Sequence, residues 1–319
     1  EMDPTTPMAI FYIFLFGLML SDAAYGLIIF LACFILIRKF PKMENGLQKS
    51  LRLFMYCGIS TLIWGILFGG FFGDLITVVS RTFFHHEVTF KPVWFAPLDD
   101  PMKLLLFSLL FGLIHLFGGL ALKGYMCLKK GDAKSFICDV LSWFMLITGL
   151  VLMLMPTELF ASIAQMQFNF PGWLKNTSYG LAIVGAAIIV LMSGRDHKNP
   201  VLTLGLYDIY TLTGWLSDLL SYSRLLALGL ATGVIAQVIN QMGSMAGDGI
   251  FGAIVFIIVF IVGHLFNLAI NMLGAYVHTC RLQYVEFFGK FYEGGGNPFR
   301  PFRENTKYVD IVSGTETQK

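Results

Sequence analysis

Seven stretches of the chain are apolar over the length of a membrane-crossing helix. About 20 consecutive apolar residues in a helix span the hydrocarbon core of a lipid bilayer. The stretches are residues 8–37, 53–79, 102–126, 136–155, 179–192, 204–242 and 250–288. Only 13% of the 319 residues are charged, against about 25% in an ordinary soluble domain. The chain is therefore predicted to be an all-α integral membrane protein, with one transmembrane domain over residues 1–319.

The last two stretches are too long to cross a bilayer upright. Each contains 39 residues, which as a helix extend roughly 58 Å, about twice the hydrocarbon thickness. They are predicted to be strongly tilted or to project beyond the bilayer.

The first stretch, residues 8–37, allows two topologies. As one span it puts the N-terminus outside. As two short helices, broken near Ser21, Asp22 and Ala23, it puts the N-terminus in the cytoplasm. Thirty residues are few for two crossings, so length alone favours one span.

Basic residues lie mainly in every second loop, and this pattern predicts the orientation. Loops on the cytoplasmic side of a membrane carry an excess of Lys and Arg. The basic groups are Arg38, Lys39, Lys42, Lys49 and Arg52; Lys123, Lys129, Lys130 and Lys134; Arg195 and Lys198; and Lys290, Arg300, Arg303 and Lys307. The intervening loops, 80–101, 156–178 and 243–249, contain few. The four regions that contain the basic groups are predicted to be cytoplasmic, and the last of them is a C-terminal tail at 289–319.

Composition and motifs exclude several other functions. The five cysteines are scattered singly, so neither a disulfide framework nor a zinc site is indicated. No basic patch interleaved with aromatic residues indicates binding to nucleic acid. The glycines at 294–296 lack the Lys-Ser/Thr of a phosphate-binding loop. The chain is predicted to have no cofactor, no nucleotide site and no catalytic site of its own.

Polar residues in the last stretch follow a helical spacing. Steps of 3, 4, 3, 4 and 3 put all of them on one helix face, a strip about 25 Å long. The strip consists of His264, Asn267, Asn271, Gly274, His278 and Arg281. Glu286 lies off this strip, near the predicted cytoplasmic end. Because polar groups inside the hydrocarbon are costly, the strip is predicted to face protein or water.

The preceding stretch carries Arg224 on a face of mostly small residues. Ser217, Ser221, Leu228 and Ala231 share this face, and small residues allow another helix to approach closely. An arginine here can reach a carboxylate on a neighbouring helix, and it does not lose its charge.

A structural ion pair is an alternative for Arg224, with Asp218 or Asp22 as its partner. The remaining polar residues of this stretch lie elsewhere around the helix: Asp208, Tyr210, Tyr222 and Thr232. Asp22, Asp74, His115 and Asp139 are isolated polar residues, for which a packing contact is at least as expected as a role in ion passage.

Three segments resemble the a subunit (subunit I) of V-type and archaeal-type rotary ATPases. Residues 219–231 read LLSYSRLLALGLA, and residues 278–294 read HTCRLQYVEFFGKFYEG. The third segment is DPTTPM at 3–8, which leads to SDAAYG at 21–26. Together they cover both ends of the chain and fit the pattern of apolar stretches between them.

The resemblance implies a specific architecture. It implies eight transmembrane helices with both ends cytoplasmic, and so favours the broken form of the first stretch. The family's cytoplasmic N-terminal half, which contacts the peripheral stalks and a d/C-type central-stalk subunit, is expected to be absent from this chain. The last two helices are expected to pack against a rotating c/K ring, whose subunits each carry a buried carboxylate.

The resemblance also implies roles for individual residues. Arg224 and Arg281 are expected to face the ring between two half-channels, and so to couple rotation to the movement of H⁺ or Na⁺. The half-channel candidates are His264, Asn267, Asn271, His278, Glu286, Ser217, Ser221 and Thr232, followed by Asp22, His115 and Asp218. Eukaryotic members have a histidine at the position of Thr232 and a glutamate at the position of Asn271. The chain therefore resembles a prokaryotic member, which implies that it lies in a prokaryotic plasma membrane.

Two other interpretations remain open at this stage. A stand-alone secondary transporter could use the polar strip as its own site, but such transporters usually contain internal repeats, and none is found. A purely structural membrane anchor leaves two arginines in apolar stretches unexplained. The coupling ion and the direction of the reaction stay open.

Overall fold

The computed structural model describes residues 3–86, 88, 91–164, 170–192, 201–247, 249–292, 299 and 301. Within these residues all regular structure is helical, apart from one isolated bridge between Phe71 and Asp74. Six helical stretches of the described chain are long and apolar enough to cross a membrane: Asn45–Phe68, Pro101–Lys129, Ala133–Leu154, Gly172–Leu191, Tyr210–Ser244 and Ile250–Lys290. The predicted all-α class, with several membrane-crossing helices, is confirmed.

The first apolar stretch is two helices, α1 (Thr5–Leu20) and α2 (Ala23–Lys39). Both pack on α3 (Asn45–Phe68), and they run along it in opposite directions. Gly17 of α1 lies against Ser60, and Ala23 lies against Gly65 further along α3, whereas Phe30 of α2 lies back against Gly58. The chain therefore reverses at residues 21–22, and the argument from length for a single span is wrong.

The second apolar stretch is also interrupted, contrary to the prediction of one helix over 53–79. Helix α3 ends at Gly69, and α4 (Leu75–Phe84) begins after a turn. Gly69, Phe72 and Gly73 all have positive φ, at 75°, 50° and 67°. Glycine adopts such angles without steric cost, and the backbone amides of Phe72 and Gly73 donate to the Asp22 carboxylate.

The middle of the chain forms a second group of helices. Helix α5 (Pro101–Lys129) comes first. It is followed by one continuous helical stretch, which consists of α6 (Ala133–Ser135), a π-helical segment (Phe136–Leu141) and α7 (Ser142–Leu154). After the short α8 (Glu158–Ala164), α9 (Gly172–Met192) packs closely on α7. Gly149 and Gly185 allow the two backbones to approach.

The last two apolar stretches form an antiparallel pair. The first is divided at Tyr222 into α10 (Val201–Ser221) and α11 (Ser223–Ser244). The second is α12 (Ile250–Arg281), which continues as a π-helical turn (Leu282–Phe287) and a 3₁₀ turn (Phe288–Lys290). Gly243 lies against Phe256, near the loop that joins α11 to α12, and Gly274 lies against Leu228.

Helix α1 is the centre of the packed core. Its residues 15–20 are all buried, and it contacts α3, α11 and α12. A helix that is apolar all round is suited to this position. The predicted cytoplasmic residues Arg195, Lys198, Arg300, Arg303 and Lys307, the glycines at 294–296 and most of the tail at 289–319 lie outside the described residues, as do the side chain of Asp208 and those of its neighbours in 201–209.

Candidate functional site

The predicted polar strip of α12 divides into two halves with different surroundings. His264 and Asn271 are buried, His278 is half-buried and Arg281 is exposed. The buried face of α12 continues from Asn271 in steps of four residues, and each such step turns it by about 40° around the axis. The six residues of the strip share one side of the regular helix α12, as predicted, but the second half of the strip turns away from the buried face.

The first half of the strip belongs to a chain of hydrogen bonds that we call the His264 network. Its members are Asp74, Asn240, His264, Tyr25, Asn267 and Asn271. His264 Nδ1 lies 2.6 Å from the Tyr25 hydroxyl, and Nε2 lies 3.0 Å from Asn240 Oδ1. The Asn240 amide donates to the Phe72 carbonyl at 2.7 Å and to Asp74 at 3.0 Å. Its oxygen thus faces His264, so Nε2 donates and Nδ1 accepts.

The remaining members extend the His264 network along α12. Asn267 Nδ2 donates to the Tyr25 hydroxyl at 2.9 Å and to the Thr232 carbonyl at 3.2 Å. Asn271 Nδ2 donates to Asn267 Oδ1 at 2.5 Å. The network therefore joins α2, the turn before α4, α11 and α12 by side-chain hydrogen bonds, and it explains how this polar face is accommodated in an apolar helix.

An acidic cavity of about 170 Å³ adjoins the His264 network. Its polar lining includes Asp22, Asp74, Asp99, Thr232 and Gln237. The exposed Asp99 is at its rim, and the buried Thr232 is next to the network. Carboxylates around a cleft raise the local concentration of cations, so the lining of this cavity favours cations over anions.

Asp22 holds the turn of the first helical pair. Oδ1 accepts from the amides of Ala24, Tyr25 and Phe72 at 3.0, 3.2 and 3.2 Å, and Oδ2 accepts from Gly73 at 2.9 Å. The carboxylate caps α2 at its N-terminus and fixes the turn before α4. Asp22 is therefore not the partner of Arg224 that the sequence allowed.

Arg224 forms an ion pair with Glu286. Nη1 lies 3.4 Å from Glu286 Oε1, and Nη2 donates to the Ser221 hydroxyl at 3.2 Å. Glu286 is 2% exposed and Arg224 22%. Glu286 lies within the π-helical segment Leu282–Phe287, where it is buried against Arg224.

A second ion pair joins the same two parts of the chain. Lys290 Nζ lies 2.5 Å from Asp218 Oδ2, and 3.8 Å from the centre of the Trp215 ring. Asp218 is thus paired with Lys290 rather than with Arg224. Ser217 is exposed, and its carbonyl accepts from the Ser221 hydroxyl at 3.1 Å.

His115 of α5 contacts Tyr222, the residue at which α10 and α11 are divided. His115 Nδ1 is 2.7 Å from the Tyr222 hydroxyl, and its ring stacks on Phe287 at 4.5 Å. Tyr222 interrupts the helix with two i to i−3 hydrogen bonds, its amide to Leu219 at 3.1 Å and its carbonyl from Leu225 at 3.0 Å.

These residues form a second polar region, which we call the Arg224 cluster. Its members are His115, Tyr222, Arg224, His278, Gln283 and Glu286. In the described part of the chain, five buried side-chain atoms have no hydrogen-bond partner: His115 Nε2, His278 Nδ1, both amide atoms of Gln283, and Glu286 Oε2. All five belong to the Arg224 cluster. His278 lies within electrostatic range of both Arg224 and Arg281.

Sequence reasoning missed four residues that these two regions bring together: Tyr25, Asn240, Tyr222 and Gln283. Asn240 had no usable signal, because symmetrical pairing of α11 and α12 about the loop at 245–249 puts it opposite residue 254 rather than His264. Gln283 had one, because it continues Asn271, Ala275 and Thr279 in steps of four residues along the helix.

Comparison with known proteins gives consistent matches. Residues 209–304 match the V-type ATPase 116kDa subunit family. The chain is 34% identical to A-type ATP synthase subunit I of Methanocaldococcus jannaschii, over 97% of this chain and 46% of that protein. It is 36% identical to the same subunit of Thermococcus kodakarensis, over 95% and 44%.

A bacterial relative matches over a similar span. V-type ATP synthase subunit I of Borreliella burgdorferi is 25% identical over 96% of this chain and 50% of that protein. The chain thus spans about half the length of the curated relatives it matches. The matched family region includes both arginines, the Arg224 cluster except His115, and most of the His264 network. This chain belongs to the V-type ATPase 116kDa subunit family, as a relative of the archaeal and bacterial subunits I of A- and V-type ATP synthases.

Proposed function

We propose that this chain is the ion-conducting stator part of a prokaryotic V/A-type rotary ATPase. It forms two half-channels against a rotating c/K ring and couples rotation to the transfer of H⁺ or Na⁺. The chain itself is not catalytic, because ATP is hydrolysed or made on other subunits. The observation that carries the proposal is Arg224, an arginine at a helix break inside the matched family region, with 22% of its side chain exposed.

We propose eight crossings of the prokaryotic plasma membrane with both ends cytoplasmic. They are α1, α2, α3, α5, the continuous α6–α7, α9, α10–α11 and α12. The reversal at residues 21–22 supports two crossings in the first stretch. The final helical stretch has 41 residues, Ile250–Lys290, and extends roughly 60 Å. Such a length supports a strong tilt against the ring.

The chemistry of arginine supports contact with a rotor carboxylate. A guanidinium stays charged in an apolar environment, so a carboxylate that meets it is favoured in the ionised form and releases its proton or Na⁺. The same fixed charge repels cations that would pass directly between the half-channels. Arg281, exposed at the end of α12, serves the same barrier from the adjacent helix.

The two polar regions are the proposed half-channels. Arg224 and Asn240 are separated by 16 residues of helix, or about 24 Å along the axis. The acidic cavity, Thr232 and the His264 network form the external half-channel, which delivers cations from Asp99 at the rim. The Arg224 cluster forms the inner end of the cytoplasmic half-channel, with His278 between the two arginines.

The proposed partners follow from this arrangement. The bilayer and the c/K ring contact the membrane helices. The relatives are about twice as long as this chain, and their additional half is where we propose that the d/C-type central-stalk and peripheral-stalk subunits attach.

Replacing Arg224 in the assembled complex tests the proposal. In proteoliposomes, Arg224→Ala is expected to lower ATP-driven ion transport at least about 100-fold, with the complex still assembled, because the rotor carboxylate no longer releases its ion. Arg224→Lys is expected to restore little, since a buried lysine can lose its proton. The matched control is Arg52→Ala in α3, outside both polar regions, which should transport normally. Coupled transport by an assembled Arg224→Ala complex contradicts the proposal.

A further inference from the structure

The two ion pairs that join α10–α11 to the end of α12 differ in geometry. Lys290 and Asp218 meet at 2.5 Å, with a cation–π contact to Trp215 in addition. Arg224 and Glu286 meet through one nitrogen and one oxygen at 3.4 Å. Strong arginine–carboxylate pairs are bidentate and about 2.7–2.9 Å long. The Arg224–Glu286 pair is thus the loose one of the two, because it is monodentate and longer than arginine–carboxylate pairs usually are.

The loose pair has unused hydrogen-bonding capacity. Glu286 is 2% exposed, and its Oε2 has no hydrogen-bond partner among the described residues. Glu286 thus makes a single side-chain contact, the one to Arg224, although buried polar groups are normally fully satisfied.

We propose that Glu286 is the resident counter-ion of Arg224, which it gives up to each passing rotor carboxylate. The inference rests on the proposed function, and it makes Glu286 a positioning residue that acts through Arg224. Between ring steps the carboxylate holds the guanidinium in place and offsets its charge. When a rotor carboxylate arrives, one carboxylate replaces another on the same guanidinium.

The exchange keeps the arginine from trapping the rotor. Without a resident partner, each rotor carboxylate would have to leave an arginine with nothing to replace it, and an unpaired charge in an apolar site is costly. With Glu286 present, the departing carboxylate is replaced at once. The guanidinium therefore keeps a carboxylate partner through the whole step.

The free oxygen of Glu286 supports exchange rather than a fixed bridge. A pair selected for stability should have its remaining lone pairs occupied, because a half-satisfied buried network is destabilising. Glu286 Oε2 instead has no partner among the described residues, so only the contact to Arg224 has to be broken for Glu286 to leave.

Rotation of single complexes tests the exchange. In the complete complex, Glu286→Gln is expected to lengthen the dwell at each ring step about tenfold, because the rotor carboxylate leaves Arg224 without a competitor. The ratio of ions moved to ATP hydrolysed should be unchanged. Glu286→Asp retains the charge, but its side chain is one methylene shorter and reaches Arg224 less well, so we expect a dwell about threefold longer than normal.

The matched control is Lys290→Gln, which removes the neighbouring ion pair between the same two segments. It is expected to lower the thermal stability of the complex while leaving the dwell within about twofold of normal. A purely structural role for Glu286 predicts that its variants behave like this control. Normal dwell times in assembled Glu286→Gln complexes overturn the inference, and if that variant does not assemble, a normal dwell in Glu286→Asp does so.

Failure of this inference can be separated from failure of the proposed function. If Arg224→Ala abolishes transport while the Glu286 variants step normally, the stator function stands and the counter-ion role does not. If Arg224→Ala complexes still couple rotation to transport, the proposed function itself is wrong, whatever the Glu286 variants do.

Discussion

The His264 network and the Arg224 cluster both involve the antiparallel pair α11 and α12, but they differ in whether their buried polar atoms have hydrogen-bond partners. In the His264 network, both ring nitrogens of His264 and the amide of Asn240 have partners. In the Arg224 cluster, four of the six residues carry a buried atom without one in the described chain. Removing a partner from a saturated network strands other buried groups. The first region is thus held in one arrangement, while the second keeps capacity to bind something further.

The two regions also differ in how regular their helices are. The His264 network lies on regular stretches of α11 and α12, where glycines such as Gly263 bring the helices close together. The Arg224 cluster lies between the break at Tyr222 and the π-helical turn at Leu282–Phe287. π-Helical turns occur frequently at functional sites, and here the turn contains the buried carboxylate of Glu286.

The largest effect on folding is expected from Asp22, beside the His264 network. Asp22→Ala leaves four backbone N–H groups without their carboxylate, so we expect the free energy of unfolding to fall by roughly 3–5 kcal/mol. SDS titration of the purified complex measures it. Asp22→Asn keeps one acceptor oxygen and should lose about half as much. Equal stability of the Ala variant and the parent would mean that Asp22 does not hold the turn.

A smaller loss is expected from the centre of the His264 network. His264→Leu removes the acceptor of the Tyr25 hydroxyl proton and leaves Asn240 Oδ1 without its donor in the interior, which should lower the free energy of unfolding by roughly 2–3 kcal/mol. The adjacent Leu265 is 67% exposed, and Leu265→Ala is the control, with a change below about 1 kcal/mol. If His264→Leu were as mild as the control, the two regions would not differ in the way we describe.

Sequence reasoning found the class of fold and most members of both regions, but not how they meet. Helical spacing picked out His264, Asn267 and Asn271, because period and polarity are local properties. The pairing of Arg224 with Glu286 joins residues that are 62 positions apart in the chain, and the break of residues 53–79 depends on Asp22 binding amides about 50 residues away. Such long-range contacts leave no periodic signal in the sequence.

The smallest expected changes in stability come from one matched substitution in each region, Gln283→Leu in the Arg224 cluster and Asn267→Leu in the His264 network. Gln283 has a fully buried amide with no partner among the described residues, and an unsatisfied buried amide costs about 1–3 kcal/mol. Gln283→Leu keeps a similar volume and removes that cost, so we expect the free energy of unfolding to stay constant or rise by about 1 kcal/mol. Asn267→Leu, the matched change in the His264 network, removes the bonds of this amide to the Tyr25 hydroxyl and the Thr232 carbonyl and the oxygen that accepts from Asn271, and should lower it by about 2 kcal/mol. Opposite signs for these two substitutions, measured on the same complex by SDS titration, are what a fixed network and an exchangeable cluster require. A loss of stability in Gln283→Leu as large as that in Asn267→Leu would mean that Gln283 is satisfied in the folded complex, and that both regions are equally fixed.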